Sequence, residues 1–170
     1  NALNKIKDST GTTYTISDIL PEKGLNIGTT EKDYIKVLED NQTVDALAGD
    51  DTLYVCGANN TVSGGAGNDY IYLNKGNSNT TIEYKQGEGN DEVYSGGTNY
   101  NGTDSVLYFS DTEFKDLTFS NSGTNLRITA GSGYVTLYGW FAYGNVLNTI
   151  KDSTGATYTI SDIEAVKDLS

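Results

Sequence analysis

The sequence predicts an all-β protein in which a parallel β-solenoid is closed by an antiparallel β capping region. Three observations lead to this prediction: a nine-residue repeat, turn-forming residues between its strands, and two alternating strands nearer the C-terminus. The repeat runs without a gap from Gly28 to Tyr72 as GTTEKDYIK, VLEDNQTVD, ALAGDDTLY, VCGANNTVS and GGAGNDYIY. Its eighth place is always a branched aliphatic residue: Ile35, Val44, Leu53, Val62 and Ile71. One aliphatic at a fixed place in each block is typical of short strands that share a core.

Each block fits half a coil of a solenoid, a turn followed by a short strand. Successive turns then lie on opposite edges, and residues 18 apart lie on one edge, about 4.8 Å from each other. The sixth places of one edge hold carboxylates: Asp33, Asp51 and Asp69. The opposite edge is expected to carry neutral side chains: Gln42, Asn60 and Ser78. The spacing therefore predicts a metal site on the first edge and an amide ladder on the second.

Stacked carboxylates at this spacing repel one another unless a cation lies between them. Carboxylate and backbone carbonyl oxygens suit a hard cation with many oxygen ligands, Ca²⁺ before Mg²⁺. The turn GGAGND places Gly64, Gly65 and Gly67 where a tight turn needs positive φ, whereas ALAGDD keeps Gly49 and GTTEKD keeps Gly28. The alternative is that Gly, Asn and Asp are only turn formers in a metal-free solenoid or a loop-rich sandwich.

Two later segments repeat the turn out of register with the first five blocks. QGEGND ends at Asp91 and contains Gly89, and NYNGTD ends at Asp104. Val93 and Val106 then fall at the aliphatic place. Because Asp91 follows Asp69 by 22 residues instead of 18, we expect about four inserted residues near Ile82 to Lys85.

Residues 64–72 match the nonapeptide G-G-x-G-x-D-x-U-x, so the chain resembles the RTX, or haemolysin-type calcium-binding, family. The resemblance implies a parallel β-roll that holds two or three Ca²⁺ ions between turns of the same edge. It implies carboxylate ligands in the order Asp51, Asp69, Asp91, Asp33 and Asp104. It also implies turn glycines at the metal: Gly49, Gly64, Gly65, Gly67 and Gly89. Export by type I secretion and folding outside a bacterial cell, where Ca²⁺ is abundant, are further implications.

The composition excludes several function classes. With 11 basic and 23 acidic residues, the net charge is −12, which argues against binding to nucleic acid or anionic membrane surfaces. The absence of histidine removes Ser–His and Cys–His catalysis and the usual zinc sites. One cysteine, Cys56, allows no internal disulfide, and no apolar run is long enough to span a membrane. We therefore expect a non-enzymatic segment that is loose or partly unfolded without Ca²⁺.

The two ends of the chain are near copies of each other. Residues 1–19 and 145–163 differ only at Ala2/Val146, Lys5/Thr149 and Thr12/Ala156, with an offset of 144 residues. Each copy predicts a β-hairpin around Asp-Ser-Thr-Gly, and the second predicts a short helix from Ser161 to Leu169. We expect a parent protein built as a tandem array. The alternative is a chance pair of hairpins in a single domain.

The resulting division of the chain has three parts. Residues 1–27 would be the tail of a preceding unit, which packs as an N-terminal cap, 28–108 the β-roll and 109–170 the capping region. Within the last part, Asn125–Ala130 and Tyr134–Tyr138 read as strands joined by Gly-Ser-Gly. Residues 116–141 resemble the segment that follows the calcium repeats in RTX proteins, with Trp140 and Phe141 as its apolar plug.

Three function hypotheses follow. The first is a calcium-binding structural module of a large secreted bacterial protein, as part of an adhesin or a toxin, whose partners are calcium and neighbouring units. The second is a carbohydrate-binding or accessory module of a secreted enzyme, which would use outward-facing tyrosines on a cell-surface glycan. The tyrosines in question are Tyr70, Tyr72, Tyr84 and Tyr94, which are equally good strand formers on a solvated face. The third is a self-assembling surface protein.

Overall fold

The computed structural model describes residues 5–7, 9–15, 28–74, 77–95, 104–141, 147, 149–159 and 161–163. These residues form short β-strands, one 3₁₀ turn at Phe114–Asp116 and a helical turn at 161–163. The first ten strands are β1 Lys5–Lys7, β2 Thr13–Thr15, β3 Tyr34–Val37, β4 Thr43–Asp45, β5 Thr52–Val55, β6 Thr61–Ser63, β7 Tyr70–Leu73, β8 Thr81–Tyr84, β9 Asn90–Ser95 and β10 Val106–Phe109. The remaining strands are β11 Thr118–Ser122, β12 Asn125–Ala130, β13 Gly133–Leu137, β14 Thr149–Lys151 and β15 Thr157–Thr159.

Strands β3 to β10 form a parallel β-roll, which confirms the predicted fold class. Alternate strands enter two sheets, ordered β11-β12-β13-β9-β7-β5-β3 and β15-β14-β10-β8-β6-β4. In the first sheet Leu53 pairs with both Ile35 and Ile71, and in the second Val44 pairs with Val62. The pairing partners are 18 residues apart, so one full coil is two nonapeptides.

The core lies between the two sheets. Side chains alternate in burial along the strands of the roll, for example in β5, where Leu53 and Val55 are fully buried between half-buried neighbours. This alternation follows from the two-residue period of a strand. All five aliphatic residues at the eighth place are buried, as the repeat predicts.

The extra residues after the fifth block are not where the sequence analysis placed them. Thr61 pairs with Thr81, 20 residues later, so two residues are inserted before β8. Tyr70 pairs with Glu92, 22 residues later, so two more lie between β8 and β9. The insertions therefore flank β8 instead of lying near Ile82 to Lys85. This shift makes Thr80, and not Ser78, the neighbour of Asn60 on the second edge.

The last turn of the roll is displaced by one residue from its predicted register. Leu107, and not Val106, pairs with Ile82 and is fully buried. Ser105 therefore occupies the sixth place of this last turn. Asp104 precedes it and is exposed. A one-residue shift exchanges the two faces of a strand, so a pattern of two adjacent aliphatics is not enough to fix it.

The capping region continues both sheets. Strands β11, β12 and β13 form an antiparallel meander, and β13 pairs in parallel with β9. Strand β12 has the predicted bounds, and β13 begins one residue before and ends one residue before the predicted strand. Trp140 is buried, whereas Phe141 is 36% exposed, so only the tryptophan acts as the expected plug. The meander covers one end of the first sheet, which is what a solenoid requires.

Both predicted terminal hairpins are present. Strands β1 and β2 pair with each other, and β14 pairs with β15 and in parallel with β10. Residues 161–163 are helical, and the rest of the helix predicted to Leu169 lies outside the described residues. Residues 16–27, which belong to the predicted N-terminal segment, also lie outside them. The division of the chain into three domains stays a prediction.

Asp152 joins the second hairpin to the 3₁₀ turn at Phe114. It is buried, and its carboxylate accepts hydrogen bonds from the Phe114 N–H at 3.2 Å, the Thr154 hydroxyl at 2.6 Å and the Tyr158 hydroxyl at 3.2 Å. Burial acts to raise the pKa of Asp152, but these hydrogen bonds outweigh burial and the pKa lies below its ordinary value. The charged carboxylate is therefore the stable form in the folded protein.

Asp152→Ala is expected to lower the free energy of unfolding by about 3 kcal/mol, because it leaves several donors without an acceptor. The matched control is Asp162→Ala, which removes an exposed carboxylate that accepts only from Thr159. The control should cost much less, because solvent can replace the exposed carboxylate as a hydrogen-bond partner. Urea unfolding of both variants in calcium buffer measures the difference. Equal losses would show that Asp152 is no more than a turn residue.

Candidate metal centre

A ladder of carboxylates runs along one edge of the roll. The backbone N–H of Asp33 donates to Oδ1 of Asp51 at 2.7 Å. The N–H of Asp51 donates to Oδ1 of Asp69 at 2.8 Å, and the N–H of Asp69 donates to Oδ1 of Asp91 at 3.1 Å. The structure thus brings together four of the predicted site residues, one above the other, in the order that the spacing predicted. Each carboxylate ties its own turn to the turn before it.

The second oxygens of this ladder are where a cation fits. Asp51 and Asp69 are fully buried, and the Oδ2 atom of each has no hydrogen-bond partner in the described part of the chain. A buried carboxylate oxygen without a partner is unfavourable by several kcal/mol. A cation would satisfy both oxygens, so the residues present fit the metal that the sequence predicts.

Backbone carbonyl oxygens of successive turns lie close to the glycines of the site. A Cβ on Gly65 would lie 2.1 Å from the Leu47 carbonyl oxygen, and one on Gly67 would lie 1.9 Å from that of Gly49. A Cβ on Gly64 would lie 2.2 Å from Oδ2 of Asp69. Only glycine leaves these oxygens uncovered, and carbonyl oxygens are ordinary ligands of Ca²⁺. The glycines therefore have a packing role beside their turn conformation.

Conformation gives a second reason for four of the glycines. Gly49, Gly65, Gly67 and Gly89 have φ of +123°, +83°, +151° and +136°, values that other residues rarely adopt. Leu47 departs from this pattern, since it occupies the second place of its turn with φ of +76°. The turn ALAGDD therefore carries strain that the turn GGAGND does not.

Burial shapes the electrostatics of the ladder. The pKa of Asp69 is raised to about 7, mainly by burial and also by the charges of Asp51, Asp50 and Glu88, while the hydrogen bond donated by the Asp51 N–H acts to lower it. Burial raises the pKa of Asp91 to about 8, with the charge of Asp69 as an additional cause. The pKa of Asp51 is also raised, mainly by burial. Without a cation, the folded roll therefore favours neutral carboxyl groups.

The first carboxylate of the ladder differs from the others. Oδ2 of Asp33 accepts the backbone N–H of Thr29 at 2.6 Å and its hydroxyl at 2.9 Å. Asp33 is also only half-buried. Its second oxygen is thus already satisfied, so the gap between Asp33 and Asp51 is a poorer cation site than the two gaps that follow.

The opposite edge is built from neutral side chains, as the sequence predicts. The N–H of Gln42 donates to Oδ1 of buried Asn60 at 2.7 Å. The N–H of Thr80 donates to the Ser105 hydroxyl at 3.3 Å. Positive φ on this edge is taken by asparagines instead of glycines, at Asn41, Asn59 and Asn79. Asp104 is an exposed residue beside this neutral ladder, away from the carboxylates with which it was grouped.

Two features of the first edge were missed in the sequence. Glu88 is half-buried, and its charge acts on both Asp69 and Asp91. Its position between the two glycines of QGEGND was the available signal. An outer ladder also joins the turns, because Asp50 accepts from the Asn68 N–H and Asn68 accepts from the Asn90 N–H. This ladder occupies the fifth place of the turns ALAGDD, GGAGND and QGEGND.

No three acidic or cysteine side chains of the described residues converge as a ready metal cluster. An ion at this edge would thus take much of its coordination from backbone carbonyls, with one or two carboxylates. That mixture is common for Ca²⁺ and unusual for transition metals. Carbonyl ligands would therefore complete the coordination of an ion held by the unpaired Oδ2 atoms of Asp51 and Asp69.

Part of the chain matches a known family of calcium-binding repeats. The RTX calcium-binding nonapeptide repeat, in four copies, matches residues 27–55 and 57–78. This part of the chain belongs to the RTX calcium-binding repeat family. RTX repeats imply Ca²⁺ binding, and the matched residues include Asp33, Asp51 and Asp69. No curated protein matches the chain at a significant level.

A solved structure has the same fold. The crystal structure of the extracellular lipase LipA from Serratia marcescens is similar to this chain with a TM-score of 0.52 and 20% sequence identity. The similarity covers 79% of this chain and 23% of the lipase chain. At this identity the likeness concerns the fold alone. Among the described residues, helices long and apolar enough to cross a membrane are absent.

The raised pKa values predict how pH acts on the metal-free protein. A carboxyl whose folded pKa lies above its unfolded value, about 3.9, stabilises the fold at low pH and loses this contribution as pH rises through the folded pKa. We expect the metal-free roll to lose a few kcal/mol of stability between about pH 4 and pH 8, the interval between the unfolded and the folded pKa values. Calcium should reverse the slope over the lower part of this range, because protons compete with the cation.

Thermal melts across this pH range, with and without calcium, measure the effect. Asp91→Asn is the informative variant, because it removes the group with the highest raised carboxyl pKa and should flatten the metal-free profile. A melting temperature that rises with pH in metal-free buffer would contradict the prediction.

Proposed function

We propose that this chain is a calcium-dependent structural module of a secreted bacterial RTX protein, one that folds when Ca²⁺ fills one edge of its β-roll. The observation that carries the proposal is the pair of buried, unpaired Oδ2 atoms of Asp51 and Asp69, set beside turn carbonyls. Two or three ions would lie along this edge. The gaps Asp51–Asp69 and Asp69–Asp91 are the best candidates, and Asp33–Asp51 is the third.

Calcium would stabilise the fold in two ways. The bound ions would neutralise part of a net charge of −12, which otherwise opposes a compact state. At about 1 mM Ca²⁺ and a Kd of about 0.1 mM, each site would add about 1.4 kcal/mol to the folded state. Two or three sites would thus contribute about 3 to 4 kcal/mol, a large fraction of the stability of an ordinary domain.

The proposed setting follows from the same dependence. A chain that is loose at the low Ca²⁺ of a cytosol and folds outside the cell suits type I secretion, the route that the RTX family implies. The chain would serve as a spacer in an adhesin or as part of a toxin, beside tandem copies of itself. Its lack of histidine and the use of its buried carboxylates in turns support a non-enzymatic role.

The test is the response of folding to metal. Far-UV circular dichroism and thermal melts would be recorded on chelator-stripped protein, then with added Ca²⁺ and with Mg²⁺ at the same concentration. Calcium should increase the β signal and raise the melting temperature, whereas Mg²⁺ should do little because it demands a smaller and more regular site. A fold that is complete in chelator and indifferent to Ca²⁺ would refute the proposal.

A second candidate function rests on a tyrosine ladder on the outer face of the first sheet. Its rings are those of Tyr34, Tyr54, Tyr72, Tyr94 and Tyr138. Successive ring centroids are 5.0, 4.8, 5.0 and 4.2 Å apart. A solvent-facing aromatic row of this kind suits the apolar faces of sugars. Tyr84 takes no part, because it is buried in the core with its hydroxyl donating to the Gly89 carbonyl.

Tyr72→Ala distinguishes a binding role of the ladder from a structural one. Removal of the central ring should cost about 1 kcal/mol of stability through lost stacking with Tyr54 and Tyr94. If the face binds carbohydrate, the variant should also lose binding on a glycan array. Tyr108→Ala, on the second sheet, is the control. An array without hits for the wild type would remove this second function and leave the calcium proposal intact.

A further inference from the structure

The two terminal hairpins of the chain have the same backbone pairing as well as nearly the same sequence. In the first, Ile6 pairs with Tyr14 and Lys7 with Thr13. In the second, Ile150 pairs with Tyr158 and Lys151 with Thr157, which are the same residues 144 positions later. The turn glycines, Gly11 and Gly155, have φ of +91° and +87°. The two segments therefore fold as the same element.

Only the second hairpin lies on the roll in the described structure. Strand β14 adds in parallel to the edge of β10, with Ile150 opposite Leu107 and Lys151 opposite Tyr108. Ile150 and Leu107 are fully buried. Strand β10 pairs with β8 along one edge and with β14 along the other. Strands β1 and β2 belong to a separate two-stranded sheet.

The second hairpin also contacts residues beside that edge through its side chains and its backbone. Asp152 accepts the Phe114 N–H, and the Tyr158 ring stacks on the Phe114 ring with centroids 3.7 Å apart. The Ser153 N–H donates to the Thr112 carbonyl at 3.1 Å. The Lys151 ammonium lies 4.7 Å from the centroid of the Tyr108 ring. These contacts, together with the strand pairing, hold the second hairpin on β10.

Every one of these contacting residues is repeated in the first hairpin. The residues at the corresponding places are Ile6, Lys7, Asp8, Ser9 and Tyr14. The differences fall elsewhere: Thr149 is half-buried where the first copy has Lys5, and Ala156 is exposed where it has Thr12. A half-buried threonine can be replaced by lysine, since the long side chain reaches solvent. The first hairpin thus keeps the whole docking surface.

From this we infer that the N-terminal hairpin, residues 5–15, is a docking element for the β10 edge of a second copy of this unit. It would add to that edge by the same parallel strand pairing and the same aspartate contact that β14 and β15 show within this chain. By the offset of 144 residues, residues 5–15 stand to a preceding copy as residues 149–159 stand to this one, so in an array the first hairpin would close the roll of the preceding copy. The inference rests on strand pairing and does not depend on the calcium proposal.

The test uses the full chain with its own hairpins disabled. Ile150→Asp frees the β10 edge by placing a charge at a buried apolar position, and Ile6→Asp introduces the corresponding change in the first hairpin. Fluorescent synthetic peptides of residues 1–19 and 145–163 are then titrated against this protein in calcium buffer. The peptide 1–19 carrying Ile6→Asp is the matched control. Circular dichroism checks the fold of the acceptor, and the milder pair Ile6→Ala and Ile150→Ala replaces it if it fails to fold.

We expect the two wild-type peptides to bind with dissociation constants within about tenfold of each other and to raise the melting temperature of the acceptor. The control peptide should bind at least about tenfold more weakly. Binding of 145–163 without binding of 1–19 would overturn the inference, because the first hairpin would then lack the docking property. Failure of both peptides would overturn it as well, because a docking element must bind as a separate unit.

Discussion

Asp69→Asn is expected to stabilise the metal-free protein and to destabilise the calcium-bound protein. Asparagine keeps an oxygen that can accept the Asp51 N–H, which Asp69 accepts at 2.8 Å, and removes the buried charge. In metal-free buffer the raised pKa of Asp69, about 7, means that its ionised form opposes folding at neutral pH and above. In calcium the same charge is a ligand, so its loss weakens the two gaps on either side.

The expected sizes of the two effects are similar and opposite in sign. The metal-free gain should be about 2 kcal/mol above pH 8, and the loss in about 1 mM Ca²⁺ about 2 to 3 kcal/mol. Asp50→Asn is the control. It lies in the same turn but is exposed, and hydrogen bonds from Asn68 lower its pKa. It should therefore change stability little, and in the same direction, under both conditions.

Urea unfolding of the wild type and both variants, in chelator and in calcium, gives the four differences. A sign change for Asp69→Asn, without one for Asp50→Asn, is the predicted pattern. If Asp69→Asn instead has the same effect with and without calcium, the carboxylate only joins turns and holds no ion.

Gly65→Ala should be among the most destabilising single substitutions in the chain. Its added Cβ would lie 2.1 Å from the Leu47 carbonyl oxygen, at a φ of +83° that alanine rarely adopts. The turns are one strand spacing apart and cannot separate without breaking the β-roll ladder. We expect a loss of about 3 kcal/mol or more, together with weaker calcium binding.

Gly155→Ala is a closely matched control. Gly155 has φ of +87°, close to that of Gly65, but a Cβ there would have no neighbour within 4 Å. It should cost only the conformational penalty, about 1 kcal/mol. The difference between the two variants in thermal melts isolates the close approach of successive turns. Similar losses would mean that conformation alone, and not contact between turns, selects glycine at Gly65.

The sequence predicted the regular part of the roll because two periods reinforce each other there. A branched aliphatic every nine residues fixes the inward face, and a carboxylate every 18 fixes the edge. Together they allow one arrangement in which Asp33, Asp51 and Asp69 stack. The ladder hydrogen bonds among them follow from that stacking and needed no further information.

The prediction failed where a turn changes length. Turn residues such as Gly, Asn and Ser are interchangeable in sequence, so the two extra residues on each side of β8 leave no mark. The same ambiguity placed Ser78 on the ladder in place of Thr80, and Val106 in the core in place of Leu107. Strand pairing across the sheet decides these registers, and that information is not local.

A local sequence pattern could not predict the contacts of the capping region for a different reason, which is that they join residues far apart in the chain. Asp152 reads as a simple turn residue in Asp-Ser-Thr-Gly, yet it accepts a backbone N–H from Phe114, 38 residues earlier. Phe141 follows Trp140 in an apolar pair, and only the fold shows which of the two faces the core. The unpaired oxygens of Asp51 and Asp69 likewise became visible only once their burial was known.

The most direct measurement is a calcium titration by calorimetry on chelator-stripped wild-type protein and on Asp69→Asn. Two or three ions should bind to the wild type, and fewer to the variant, because Asp69 borders both of the best gaps. Absence of binding heat from the wild type, or the same number of ions in both proteins, would contradict the claim that this carboxylate ladder holds calcium.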